Sequence, residues 1–142
     1  MRVYLDNCCY NRPFDGQGDV RILLESIAKL DIQQQMRDGT LEYVWSSILD
    51  FEIDKSKFVV RSRQIRPWKA GAVVDICVDG EIRSRAKDFE AAGIKPADAL
   101  HLACAEAAQC DWFFTVDRGI LRKAKPLVSM RVANPMEFFA GD

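Results

Sequence analysis

Lys95 to Asp117, KPADALHLACAEAAQCDWFFTVD, decides the fold. Pro96 suits the first position of a helix, where a missing N–H costs nothing. Asp98 then falls in the first turn, near the positive end of the helix dipole. Ala99, Leu100, Leu102, Ala103, Cys104, Ala105, Ala107 and Ala108 make the rest of the helix small and apolar. Such a helix is expected to be covered on most sides and packed closely. Asp111 opens a turn, and Trp112-Phe113-Phe114-Thr115-Val116 reads as a short buried strand. Asp117 stands where that strand ends, followed by Arg118-Gly119. Two acids therefore bracket a mostly apolar unit, where a lone carboxylate is expensive.

Upstream, Met1 to Leu5 is a short strand pattern ended by Asp6-Asn7, and Asn11 to Gly16 reads as a loop. Val20, Leu23, Leu24, Ile27 and Leu30 recur at helical spacing and predict a helix over Asp19 to Met36, with Gly39 as its C-cap. Leu41 to Trp45 is a second strand, after which Ser46 or Ser47 caps a helix carrying Ile48, Leu49, Phe51, Glu52 and Ile53. Ser56 to Lys69 is helical and basic, broken at Pro67. Gly71 to Cys77 fits a strand or a buried helix, and helix is preferred because no tight connection to a neighbouring strand is visible. Glu81 to Ala92 is an amphipathic helix ended by Gly93. Downstream of the central stretch come a basic helix from Arg118 to Lys125, a strand from Leu127 to Val132, and a closing helix capped by Asn134 that runs through Phe139.

Strands alternating with helices predict an α/β domain with a central, mostly parallel sheet flanked by helices. No repeat or boundary divides the chain, so residues 1–142 are expected to form one domain, a length that supports a core without staples. Hydrophobic residues make up 49% and charged residues 29%, ordinary for a globular protein. The net charge of −1 advertises no nucleic-acid partner in bulk, so any such partner has to be met by a local basic patch. No apolar run is long enough to span a membrane, and Asp6-Asn7 interrupts any signal-peptide pattern, which predicts a cytoplasmic protein. Five cysteines without a CxxC predict reduced thiols and no zinc site.

In parallel sheets ligands bind at the carboxyl edge of the strands. Asp6 ends the first strand, Asp117 ends the strand after the Ala-rich helix, Asp98 opens that helix, and Glu52 lies about two turns into the helix after the second strand. Each acid alone has an ordinary reading: Asp6 and Asp117 as caps or Asx turns, Asp98 as a dipole complement, Glu52 as a solvated helix residue. Their coincidence at one edge is the sharper signal. Clustered carboxylates raise one another's pKa unless cations neutralise them, which points to a bound divalent metal. Oxygen ligands favour Mg²⁺ or Mn²⁺, metals suited to phosphodiester chemistry.

MRVYLDNCCYNRPFD, SSILDFE, KPADALHLACA and FFTVD, in that order and spacing, resemble the PIN domain. PIN domains are compact α/β metal-dependent ribonucleases that include VapC-type toxins of bacterial toxin–antitoxin pairs. The resemblance covers essentially the whole chain, with ADALHLACA and TVD its most specific blocks. It implies an Mg²⁺- or Mn²⁺-dependent endoribonuclease whose metal-binding and catalytic residues are Asp6, Glu52, Asp98 and Asp117. Asp50 competes with Glu52 in the second block, but Glu52 occupies the usual slot. By the same resemblance Asp6, Asp98 and Asp117 are ligands, and Glu52 binds a second ion or orients the attacking water. An antitoxin partner and a homodimer are also implied.

Asn7 and Thr115 are further candidates for contacts to the substrate, each with a structural alternative as a turn residue and a strand residue. Arg118, Arg122 and Lys123 belong to a basic run that starts beside Asp117 and is the better phosphate-binding choice. A second run, Arg61, Arg63, Arg66 and Lys69, reads more simply as a solvated face. His101, one turn after Asp98, can be a base, but a packing or capping role explains it better. The alternative from another class is a non-catalytic PIN-like module that binds protein or RNA and needs no metal. A phosphatase or flavodoxin-like protein is disfavoured, since no DxD pair and no Gly-rich phosphate loop follow the first strand.

Overall fold

A computed structural model describes residues 1–140. Five strands form one sheet: β1 (Arg2–Leu5), β2 (Glu42–Ser46), β3 (Val74–Ile76), β4 (Trp112–Phe114) and β5 (Arg131–Ala133). Their order is β3-β2-β1-β4-β5, and every pairing is parallel. The helices are α1 (Asn7–Asn11), α2 (Val20–Arg37), α3 (Ser47–Lys55), α4 (Val59–Ile65), α5 (Gly80–Ala91), α6 (Pro96–Ala107), α7 (Arg118–Ala124) and α8 (Glu137–Ala140). The expected α/β architecture is present, and the sheet is parallel throughout.

The strand order places the functional edge. From β1 the chain builds outward through β2 to β3 on one side, and later through β4 to β5 on the other. The carboxyl ends of β1 and β4 therefore flank the point where the order reverses, where a crevice opens. Leu5 pairs with Phe114, so Asp6 and Thr115 emerge together at that point. The Asp6 N–H donates to the Phe114 carbonyl at 2.9 Å, which carries the β1–β4 ladder one residue further.

α6 begins at Pro96 as the sequence predicts, and Ala99, Leu102, Ala103, Cys104 and Ala105 are all buried. Small side chains let α6 lie close to the sheet and to α5 at once. Below it Tyr4 stacks on Phe113, ring centroids 5.4 Å apart. All five cysteines are free.

Several expectations need correction. Gly71 to Cys77 holds edge strand β3, not a helix: Val74 pairs with Val44, and the Val73 N–H donates to the Tyr43 carbonyl at 2.9 Å. A strand this short shows too few residues for its period to be read, and its β-branched Val73, Val74 and Ile76 were the better signal. The residues after Asp6 form α1, with a 3₁₀ turn over Arg12–Phe14 where a loop is expected. The last strand starts at Arg131, because a 3₁₀ turn over Lys125–Leu127 takes up Pro126. The basic segment resolves into α4 and a 3₁₀ turn, Arg66–Gly71, with Pro67 near its start.

The apolar residues that predict α2 are not its core face. Val20, Leu23, Leu24, Ile27 and Leu30 are 42–70% exposed. The side turned inward carries Glu25, Ser26, Ala28, Lys29, Ile32, Gln33 and Met36. Lys29, beside the Tyr10 ring and with no ion pair among the described residues, is pushed down to about 8 by burial. No helix among the described residues is long and apolar enough to cross a membrane.

Candidate metal centre

Asp6 is the N-cap of α1 and is almost completely buried. Its Oδ1 accepts the Asn7 N–H at 2.7 Å, and its Oδ2 accepts the Thr115 hydroxyl at 3.0 Å and the Cys8 thiol at 3.3 Å. These donors fix the carboxylate while leaving lone pairs for a cation. The neighbouring Cys9 thiol first, then burial and the charge of Asp6, hold the Cys8 thiol well above its ordinary value, so it remains a donor.

Thr115 is fully buried. Its hydroxyl also accepts the Asp117 N–H at 3.1 Å, so one side chain ties Asp6 to the residue that starts α7. Asp117 is exposed and caps α7 through Oδ1, which accepts the Gly119 and Ile120 N–H groups at 2.8 and 3.1 Å. Its Oδ2 has no hydrogen-bond partner among the described residues.

Glu52 reaches the same crevice from α3, and its Oε1 meets His101 Nε2. Asp6, Glu52 and His101 each offer a ligand atom, and these atoms lie within 4.8 Å of one another. Asp50 is occupied elsewhere: it accepts from Trp45 Nε1 at 2.9 Å and from Lys69 at 3.0 Å.

Asp98, half-buried in the first turn of α6, is pushed up to about 6. Burial is the largest cause, followed by the charges of Asp6 and Asp117; His101 opposes the shift and Glu52 adds to it. The other three acids therefore all act on Asp98, although the ligand atoms that lie within 4.8 Å of one another are those of Asp6, Glu52 and His101, not those of Asp98 or Asp117. Burial alone would lower His101, but the bond to Glu52 and the charges of Asp6, Glu52 and Asp98 outweigh it and raise the imidazole. A site in which a carboxyl and an imidazole both hold protons more tightly than usual has excess negative charge, and a divalent cation relieves it.

The acids face two openings. Asn7, Asn11, Phe51, Glu52, Lys55, Phe58 and Arg61 line a groove of about 450 Å³. Asp98 and Asp117 line a smaller pocket of about 100 Å³ with Lys95 and Lys123. Lys123 donates to the Gly93 carbonyl at 3.0 Å, which holds its charge beside those two acids. Arg118 and Arg122 are exposed on α7, with no ion pair among the described residues. The other basic run is largely consumed: Arg61 pairs with Asp15, Arg66 with Asp54, and Lys69 with Asp50 and Asp75.

Sequence reasoning missed the groups behind the acids. In the sequence Tyr4 is one residue of the first strand pattern, and Ser46 reads only as a helix cap.

A sequence profile described as PIN domain matches residues 42–126, well over half of the chain. No curated protein matches the chain. Among solved structures, FitAcB from Neisseria gonorrhoeae is 19% identical with a TM-score of 0.60, covering 94% of this chain and 97% of that one. VapBC2 from Rickettsia felis, bound to a DNA fragment from its promoter, is 14% identical with a TM-score of 0.57, covering 94% and 98%. DNA-bound VapBC from Salmonella typhimurium is 14% identical with a TM-score of 0.58, covering 95% and 98%. At such identities the likeness is one of fold.

Proposed function

The chain belongs to the PIN-domain family, and from that premise we propose that it is a metal-dependent endoribonuclease, the toxin of a toxin–antitoxin pair. PIN domains are generally nucleases. The observation that carries the proposal is the meeting of Asp6 and Glu52 at the strand-order reversal, their ligand atoms within 4.8 Å, beside an Asp98 raised by burial and by the charges of Asp6, Asp117 and Glu52.

The donor set fits Mg²⁺ or Mn²⁺: hard carboxylate oxygens, one of them pre-set by Thr115 and Cys8. Asp6, Asp98 and Asp117 would hold the cation, and Glu52 a second ion or the attacking water. Such a cation, when bound, makes water nucleophilic near neutral pH and offsets charge on the leaving oxygen. Lys123, Arg118 and Arg122 would take phosphates on one side of the acids, and Asn7 lies on the other, in the larger groove.

A partner protein is supported by surface chemistry. The exposed stripe Val20, Leu23, Leu24, Ile27 and Leu30, with Phe51, Phe58, Val59 and Val60 near the groove, is unusual on a free monomer. An antitoxin or a second copy of this chain would cover such surface, and the neighbouring structures are named as VapBC and FitAcB assemblies.

The test is cleavage of a mixed RNA pool with Mn²⁺, Mg²⁺ or EDTA, beside calorimetry with Mn²⁺. Cuts that appear only with metal are expected. No cutting together with no Mn²⁺ binding would return the chain to the non-catalytic binding-module reading.

A pH dependence follows from Asp98. Its proton and a cation compete for one carboxylate, so Mn²⁺ affinity is expected to rise as pH climbs through about 6 and to level off above it. Calorimetry at acidic, intermediate and mildly alkaline pH reads this directly. A flat affinity would remove Asp98 from the ligand set.

A further inference from the structure

We infer that His101 is a positioning residue: its Nε2–H donates to Glu52 and aims that carboxylate into the crevice, with the ring oriented from behind by Tyr4 and Ser46. This rests on the metal-site reading above and assigns His101 a role outside the ligand set.

His101 is fully buried on α6, one turn beyond Asp98. Its Nδ1 lies 2.6 Å from the Tyr4 hydroxyl, and that hydroxyl lies 2.6 Å from Ser46 Oγ. Its Nε2 meets Glu52 Oε1 and stands 3.7 Å from Asp6 Oδ1. Tyr4 and Ser46 are also fully buried, so no bulk water completes their bonding. Every hydroxyl hydrogen in this row needs an acceptor within it.

That requirement sets the direction of the row. Ser46 caps α3, its Oγ accepting the Leu49 N–H at 3.3 Å. The one acceptor available to the Ser46 hydrogen among the described residues is the Tyr4 oxygen. Tyr4 then has to donate to His101 Nδ1, which leaves the ring hydrogen on Nε2, facing Glu52. The reverse direction orphans the Ser46 hydrogen, a buried loss of about 1–3 kcal/mol. It would also turn a bare Nε2 lone pair onto an acceptor, the Glu52 carboxylate. The imidazole is thereby bonded on both sides, and Glu52 keeps Oε2 and its remaining lone pairs for the crevice. Metal-binding carboxylates are commonly held in this manner by a donor behind them.

The alternative is that Nε2 itself binds the cation with Asp6 and Glu52, the other arrangement the geometry permits. A nitrogen ligand requires an unprotonated Nε2, so the two assignments differ by one observable proton.

His101 is the only histidine in the chain, which makes its ¹⁵N signals unambiguous. Labelled protein is examined without metal and with Mg²⁺. A protonated Nε2 in both states is expected. An Nε2 that is unprotonated, or that loses its proton when Mg²⁺ is added, overturns the assignment.

Two variants give a separate readout, Mn²⁺ affinity by calorimetry, with melting in EDTA as the check on folding. His101→Gln places an amide N–H near the Nε2 position, whereas His101→Asn reaches only as far as Nδ1. His101→Gln is expected to bind Mn²⁺ within about threefold of wild type and His101→Asn to lose about 10–100-fold, the usual effect of removing a group that orients a ligand. Equal losses in both variants, or no loss in His101→Asn, overturn the proposal. If His101→Asn fails to fold, His101→Gln decides alone, a loss of tenfold or more counting against. Wild-type protein that binds no Mn²⁺ overturns the metal-site reading and this proposal together. An unprotonated Nε2 in protein that does bind Mn²⁺ overturns this proposal alone.

Discussion

Asp98→Asn is expected to lose metal-dependent RNA cleavage by at least about a hundredfold, the scale of removing one preorganised electrostatic group, while the metal-free protein melts at a higher temperature than wild type. The two effects share a cause. Asp98 is held up at about 6, first by burial and then by Asp6 and Asp117. Its folded value lies above the unfolded 3.8, so the native state binds the proton more tightly than the unfolded chain does. Stability from this group is present at low pH and is lost as pH rises through about 6. At pH 7 the wild-type native state carries the full cost of the ionised carboxylate, and asparagine removes it. Near pH 4 Asp98 is protonated in the native state, and the stability gain should shrink. Melting of both proteins in EDTA at the two pH values, beside cleavage with Mn²⁺, checks the pair of effects. A variant that still cuts, or one that melts lower at pH 7, would sink the argument.

Glu25→Ala is expected to destabilise the fold by about 3–5 kcal/mol, the scale of breaking a buried ion pair, and to lower Tm on the order of 10 °C. Glu25 is 1% exposed on the inner side of α2. Arg12 Nε and Arg21 Nε lie 3.3 Å from its two oxygens, and Asn134 Nδ2 donates to it at 2.5 Å. One carboxylate thus joins the turn after α1, the helix α2 and the segment before α8. Removing it leaves Arg12 Nε, itself buried, facing a void. Arg12 also pairs with Asp15, and Asp15 with Arg61 at the groove wall, so the damage reaches that groove. Arg66→Ala is the control: Arg66 and Asp54 are at least half exposed, and such a pair contributes about 0–1 kcal/mol. Urea unfolding of both variants separates the two magnitudes. Similar losses would mean that Glu25 is not the tie described.

The Ala-rich helix, its Pro96 start and the WFF strand were legible because small residues, a fixed φ and bulky β-formers each leave a local mark on the chain. Asp6, Asp98 and Asp117 could be nominated because strand ends and helix starts are local too, and Glu52 because its distance into α3 can be counted from the end of β2. α2 was legible as a helix but not in its orientation: its period shows in Val20 to Leu30, yet Glu25 and its arginines turned the polar side inward. Edge strand β3 was lost because three residues hold too little periodicity to set against a helix.

The sequence by itself determined the α/β alternation and the parallel sheet, and it supplied the acids at its edge, since turn chemistry, periodicity and residue size act within a few residues. Only the tertiary structure decided how those acids are held. Thr115 bound to Asp6, Asp50 drawn to Lys69, and the row from Ser46 through Tyr4 and His101 to Glu52 all join residues far apart in the chain. A buried donor must find an acceptor wherever packing has placed one, and spacing along the chain holds no record of that choice.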